Sequence, residues 1–312
     1  MKPLLGKLKL RHWIFLLLLI AAVIVLLPQT GTIKQSFSAL RQADPAMLVL
    51  ATVFTFLTYA IAAVTYLLLA HKRLRYPRTV LVQLASMFTN RLLPAGIGGM
   101  GTNYAYLRKN KHTQDQAATT VAANNLLGII GHVMLLIILF LLFRSQIDSS
   151  QLTHHRFSLG SNAWVVVAVL AIVVGVTIYF WKRIVKHVAQ ISKLLLNYRK
   201  RPFHLSGALG SSMLLTICNV LSFYYCAVAL HVSLSFAAML IIFTFGVALG
   251  TSTPTPGGLG GVEAGLVAGL VAYKVPAADA LAIVLAYRLI SYWLTLAVGA
   301  LAFVYANKKH YF

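Results

Sequence analysis

Thr253-Pro254-Thr255-Pro256-Gly257-Gly258-Leu259-Gly260-Gly261-Val262-Glu263 interrupts an apolar run that extends from about 236 to 272. Proline lacks the amide that a helix interior needs, and glycine gains little from being helical, so the helix breaks here. The break frees backbone amides and carbonyls, and Glu263, the sole glutamate of the chain, opens the helix beyond it. In hydrocarbon such groups must be paired or must line a wet cavity. A lone carboxylate at a helix break is the sequence sign of a transport site.

Composition places the chain in a membrane. Hydrophobic residues make up 59% of it and charged residues 10%, with a mean hydropathy of +0.81. A soluble domain cannot bury that much apolar surface. The formal charge of +22 would suit nucleic acid, but the basic residues cluster in short loops between apolar runs. That is the pattern that orients membrane helices, and it excludes a nucleic-acid partner.

Apolar segments predict spans near 13–28, 46–70, 117–143, 163–181, 207–230 and 278–305. The basic amino terminus ahead of residue 13 resembles the start of a signal peptide, but no small-residue cleavage site follows, so the first span is expected to be retained. Two further stretches, 79–106 and 236–272, are broken by Pro and Gly and are expected to re-enter on the side they left. The fold class is therefore an all-α polytopic membrane protein with about six full spans and two re-entrant hairpins, forming a single transmembrane domain over 1–312. With both termini in the cytoplasm, twenty of the 27 basic residues face the cytoplasm and five face outward. Arg91 and Arg288 fall inside membrane segments.

The halves, about 10–145 and 160–306, resemble each other. Pro94-Ala95-Gly96-Ile97-Gly98-Gly99-Met100 aligns with Pro256-Gly257-Gly258-Leu259-Gly260-Gly261-Val262 at an offset of 162, and Lys111 then meets Lys274 after a one-residue slip. The halves enter the membrane from opposite sides, which makes an inverted repeat and sets the two breaks back to back.

Each candidate site residue has a plain and a functional role. Glu263 in a first helical turn is a natural cap; it is also the natural partner of Arg288, or a proton carrier. Arg288 keeps its proton and needs an anion: Glu263, a lipid phosphate, or each in turn. Arg91 would either contact a headgroup or cap carbonyls freed at the first break. Asn103 follows that break. Asn124-Asn125 lies in the next span, where Asn125 aligns with Arg288, and paired amides there serve as interhelical glue or as ligand contacts. Gly98, Gly258 and Gly260 would present backbone amides to an anion. The loop 182–201 is basic enough to attract anionic headgroups besides setting topology.

Enzyme signatures are missing: there is no nucleophile elbow, P-loop, Rossmann fingerprint or carboxylate pair, and only five acidic residues exist for acid–base chemistry. The histidines show no ligand spacing, so neither metal nor cofactor is expected. Cys218 and Cys226 are about 12 Å apart along one helix, too far for a disulfide.

Leu93-Pro94-Ala95-Gly96-Ile97-Gly98-Gly99, Pro256 to Ala264 and Ala286-Tyr287-Arg288-Leu289 together resemble the flippase-like membrane family that includes the transmembrane region of lysylphosphatidylglycerol synthases. The resemblance covers about residues 10–305 and implies translocation of a lipid between leaflets of the cytoplasmic membrane. The aminoacyl-transferase domain of the fused synthases does not accompany it, so lipid synthesis is not expected. The family often has a basic residue where this chain has Asn103, and an acidic–basic pair where it has Asn124-Asn125. Arg91 or Arg108 would then have to supply the second cation. The partners implied are membrane lipids with anionic headgroups. Two further readings remain open: a membrane scaffold for a lipid-synthesis enzyme, and a transporter of a small soluble anion.

Overall fold

A computed structural model describes residues 38–93, 97–143, 198, 201–251 and 256–312. Among them the chain forms nine helices and no strand: α1 (Pro45–Leu69), α2 (Tyr76–Leu92), α3 (Ile97–Lys109), α4 (Gln114–Phe143), α5 (Pro202–Ala229), α6 (Phe236–Thr251), α7 (Gly261–Ala272), α8 (Ala277–Arg288) and α9 (Thr295–Lys308). A π-helical segment, Leu289–Leu294, joins α8 to α9 without a break. The expected spans near 13–28 and 163–181 lie outside the described residues, as does most of the basic loop 182–201.

Helix starts follow from capping chemistry. Asp44 accepts a hydrogen bond from the Ala46 amide at 2.8 Å, and Pro45 occupies the first turn of α1, where its missing amide costs nothing. Proline likewise opens α2 and α5. Among the described residues, four helices are long and apolar enough to cross a membrane: Pro45–Leu69, Gln114–Leu135, Pro202–Ala229 and the merged Ala277–Lys308. Their boundaries fall within a few residues of the spans expected from sequence.

Each broken stretch folds as an antiparallel helical hairpin. In the first, α2 and α3 are held by Thr79–Tyr106, Gln83–Asn103 and Thr89–Thr102 hydrogen bonds of 2.8–2.9 Å. A Cβ on Gly98 would lie 2.0 Å from the Thr89 carbonyl oxygen, so only glycine lets the arms close at that level. In the second, α6 and α7 meet backbone to backbone, and a Cβ on Gly265 would lie 2.6 Å from the Gly246 carbonyl oxygen. The arms have 17, 13, 16 and 12 residues. At 1.5 Å per residue, the shortest arm reaches about 18 Å, well short of a hydrocarbon core about 30 Å thick.

The spans that precede the two hairpins, α1 and α5, pack along each other, with Thr55 and Ser222 hydroxyls 2.7 Å apart and Phe54 stacked on Tyr225. The largest core cluster lies between α5, α6, α7 and α8, where Phe223 and Phe243 set their rings against Tyr287. Helix α9 lies against α2, with Gly299 beneath the Leu84 carbonyl and Phe88 beside Phe303. Large apolar side chains instead face outward along α1 (Val49, Val53, Leu57), α4 (Ile129, Val133, Ile137) and α9 (Leu301, Val304). Large apolar side chains on the outer faces, with glycine where helices touch most closely, suit a lipid surrounding.

After each hairpin the chain turns identically. Lys111 and Lys274 both adopt left-handed backbone, with φ of 63° and 64°. The following amides, His112 and Val275, bond back five residues to Leu107 and Leu270, closing two Schellman turns. Burial pushes the His71 and His112 imidazoles in the neighbouring loops below their ordinary range. Cys218 and Cys226 are free, buried thiols on α5.

Candidate functional site: a charged cluster at the second break and a neutral cavity beside the first

Arg91, Glu263 and Arg288 come together around Tyr292 and the start of α7. Arg91 lies in the last turn of α2, Glu263 in the first turn of α7, and Arg288 is the last residue of α8. Arg288 Nε stands 2.7 Å from Glu263 Oε1, and the two side chains are 9% and 25% exposed. The other carboxylate oxygen, Oε2, accepts the Gly260 amide at 2.7 Å. Glu263 therefore caps α7 and pairs with Arg288 at once. A second Arg288 nitrogen, Nη2, donates to the Gly258 carbonyl at 3.4 Å.

Arg91 reaches the same place from the first hairpin. Its Nη2 donates to the Ser291 carbonyl at 2.9 Å, and its guanidinium carbon lies 4.3 Å from the centre of the Tyr292 ring. The Arg288 guanidinium lies 5.6 Å from that same ring. Gly257, with φ of 63°, fits against the ring; a Cβ there would come within 2.6 Å of Tyr292 and 3.1 Å of the Arg91 side chain. The π segment makes this contact possible. Its wider turn shifts the backbone register after Arg288, and Ser291 offers its carbonyl both to Arg91 and to the Thr295 hydroxyl.

The charges do not balance. Two guanidiniums stand beside one carboxylate, which pairs with Arg288, and among the described residues Arg91 has no carboxylate partner, only a carbonyl and a ring. Asp44, Asp115 and Asp279 lie in the caps or first turns of α1, α4 and α8, while Asp148 is outside the described residues. Low-dielectric surroundings make an excess positive charge costly until an anion joins it.

Asn103 and Asn125 are not part of this cluster. They line a separate cavity of about 430 Å³ between α1, α2, α3, α4 and α5, together with Gln83, Ser86, Asn90 and Asn124. Asn103 is buried, accepting from Gln83 Nε2 at 2.8 Å and donating to the Gly99 carbonyl at 2.9 Å. Asn125 is exposed at the cavity's edge, although the sequence alignment sets it opposite the buried Arg288.

The glycines act otherwise than expected. Gly258 contributes its carbonyl to Arg288, and the Gly260 amide is occupied by Glu263. Gly98 serves the close approach of α2 and α3. The Gly260 amide goes to Glu263 because a helix start leaves its first amides without intrahelical partners. Arg108, which could have supplied a second cation, instead donates to the His112 carbonyl at 2.9 Å. Sequence reasoning missed Tyr292, Ser291 and Gln83 as site residues. An aromatic in an apolar helix carries no distinguishing signal, whereas Gln83, midway along a broken apolar stretch, was a detectable one.

The lysylphosphatidylglycerol synthase TM region family matches residues 13–299 of the chain. The chain is also 34% identical over 90 residues to a UPF0104 membrane protein of Methanothermobacter thermautotrophicus. That alignment covers 29% of this chain and 27% of the relative's length. Four membrane-length helices and a family match over nearly the whole chain agree: this is a multi-pass membrane protein that belongs to the lysylphosphatidylglycerol synthase TM region family.

Proposed function

We propose that this chain moves a lipid with an anionic headgroup between the leaflets of the cytoplasmic membrane, as a transporter rather than an enzyme. The carrying observation is the excess of one positive charge where Arg91 and Arg288 flank Tyr292 beside a single carboxylate. An arriving phosphate would complete the charge, taking Arg91 directly and competing with Glu263 for Arg288. The lipid tails would stay in the bilayer while the headgroup passes between the hairpins.

The architecture supports the same reading. Hairpin arms too short to cross suit re-entrant elements, within a fold of about six full spans whose termini are cytoplasmic. The identical Schellman turns at Lys111 and Lys274, and the pairing of α1 with α5, suit an inverted repeat of two halves.

A variant series separates structure from transport. Glu263→Gln keeps an oxygen that can cap Gly260 but removes the charge, while Arg288→Gln leaves Glu263 unpaired. Breaking a buried pair from one side costs about 3–5 kcal/mol, whereas neutralising both partners is often tolerated. The double variant Glu263→Gln/Arg288→Gln should therefore fold as well as wild type. In proteoliposomes with lipids carrying a fluorescent acyl chain, we expect it to move anionic lipid at least about tenfold more slowly, a change of about 1.4 kcal/mol. Wild-type flux in the folded double variant would refute the proposal and leave the pair as a structural tie.

A further inference from the structure

We propose that the cavity between the first hairpin and α4 receives an uncharged, hydroxyl-rich headgroup, so that the cargo is a phosphodiester of a polyol such as glycerol or a sugar. This rests on the transport reading of the charged cluster and names the class of lipid that cluster would serve. The cavity's polar wall is made of Gln83, Ser86, Asn90, Asn103, Asn124 and Asn125, with the phenol of Tyr66 beside them, and among the described residues no carboxylate, amine, guanidinium or imidazole lines it. Its volume of about 430 Å³ lies in the lower part of the range of about 300–1,000 Å³ typical of small-molecule sites.

Side-chain chemistry decides what fits. A carboxamide presents a donor pair and an acceptor in one plane, and a hydroxyl is itself both donor and acceptor, so amides and polyols satisfy each other fully. An ammonium group has only donors and carries a charge. Among neutral amides it would be desolvated without a counter-charge, which is unfavourable. The cavity thus selects against aminated headgroups by what its wall lacks. The back of the wall is already set, because Gln83 holds Asn103 and Asn103 holds the Gly99 carbonyl, both side chains being buried. Asn90, Asn124 and Asn125 also line the cavity, and among the described residues no hydrogen bond engages their side chains.

Position links the cavity to the cluster. Asn90 lines the cavity and Arg91, the next residue of α2, belongs to the cluster. Successive side chains of a helix point about 100° apart, so a headgroup with its hydroxyls among the amides would reach around the end of α2 to set its phosphate at Arg91. Dihexanoyl phosphatidylglycerol, dihexanoyl phosphatidylethanolamine and dihexanoyl phosphatidic acid share their tails and differ only in the headgroup. Soluble glycerol 3-phosphate carries the polyol and phosphate without tails.

The experiment measures binding of these four compounds to the purified full chain in detergent by thermal stabilisation, beside transport in vesicles. We expect phosphatidylglycerol to bind about tenfold more tightly than phosphatidylethanolamine, with phosphatidic acid between them. Asn124→Ala should weaken phosphatidylglycerol by about three- to tenfold, the worth of one or two neutral hydrogen bonds, and leave phosphatidic acid unchanged. Asn125→Asp should shift preference toward the ammonium-bearing lipid, a change that a purely structural asparagine would not produce. Equal binding of the two diester lipids, unmoved by Asn124→Ala, would overturn the inference even if transport is observed. Selective phosphatidylglycerol binding with no lipid movement would support it while refuting the transport reading. Glycerol 3-phosphate binding as tightly as the lipid would support the cavity chemistry and assign the cargo to a soluble polyol phosphate.

Discussion

Tyr292 sits where a loss of ring and a loss of hydroxyl have different consequences. Its face meets Arg91 at 4.3 Å and its ring lies 5.6 Å from Arg288, so it holds two like charges near one another without neutralising either. A partly desolvated cation over an aromatic face is worth about 0.5–2 kcal/mol. Tyr292→Phe retains the face and should transport within about twofold of wild type. Tyr292→Leu removes it and should slow transport by about three- to thirtyfold, the rate equivalent of that energy. Flux in proteoliposomes checks both; equal behaviour of the two variants would show that the ring only fills space. At this scale the sequence was legible where a residue was unusual. Glu263 and Arg288 announced themselves as isolated charges in apolar segments, and they do form a pair. Tyr292 had no such contrast, being one of 14 tyrosines, and its role depends on Arg91 arriving from a residue 201 positions earlier.

The helical hairpins depend on glycine where arms touch through their backbones. Gly265 faces Gly246, and a methyl group on Gly265 would press into a carbonyl oxygen that belongs to the opposing helix and cannot move aside. Overpacking of this kind costs about 1–3 kcal/mol, so Gly265→Ala should destabilise by about that amount. Gly210 lies in α5 with nothing within 4 Å of a Cβ added there, so Gly210→Ala should stabilise by about 0.5–1 kcal/mol through helix propensity alone. Unfolding in detergent compares the two, and an equal response would mean that the hairpin contact is loose. Both breaks were readable because Pro cannot donate within a helix and clustered Gly disfavours one, and their positions are local facts. The π segment was not readable. Leu289–Leu294 has the composition of any apolar helix, and its extra backbone register is maintained by partners on α2, outside its own stretch.

Across the whole molecule, the spans that could be compared with sequence fell within a few residues of expectation, because twenty apolar residues in a row have few alternatives. Which helix touches which was less accessible. The contact of α1 with α5 turns on a buried Thr55–Ser222 pair separated by 167 residues, and hydropathy does not encode that choice. For the same reason the candidate site read as one place in the sequence and is two in the fold. Asn125 aligns with the charged Arg288 of the other half, yet it lines a neutral cavity together with Asn103.

The unmatched guanidinium has an electrical consequence. On the proposed reading, the cluster is positive by one unit when empty and neutral with a monoanionic phosphodiester bound. A potential of 100 mV acts on one elementary charge with about 2.3 kcal/mol, a bias of roughly fiftyfold. An inside-negative cell would hold the empty cluster toward the cytoplasm, while the loaded one would ignore the field. Imposing potassium diffusion potentials of either sign on vesicles should therefore change the rate at which the empty protein resets. The same voltage should leave a single loaded crossing untouched, and dependence of both steps on voltage would contradict this charge balance. Thus one arginine without a carboxylate lets a resting membrane set which side of the bilayer the vacant site awaits its cargo on.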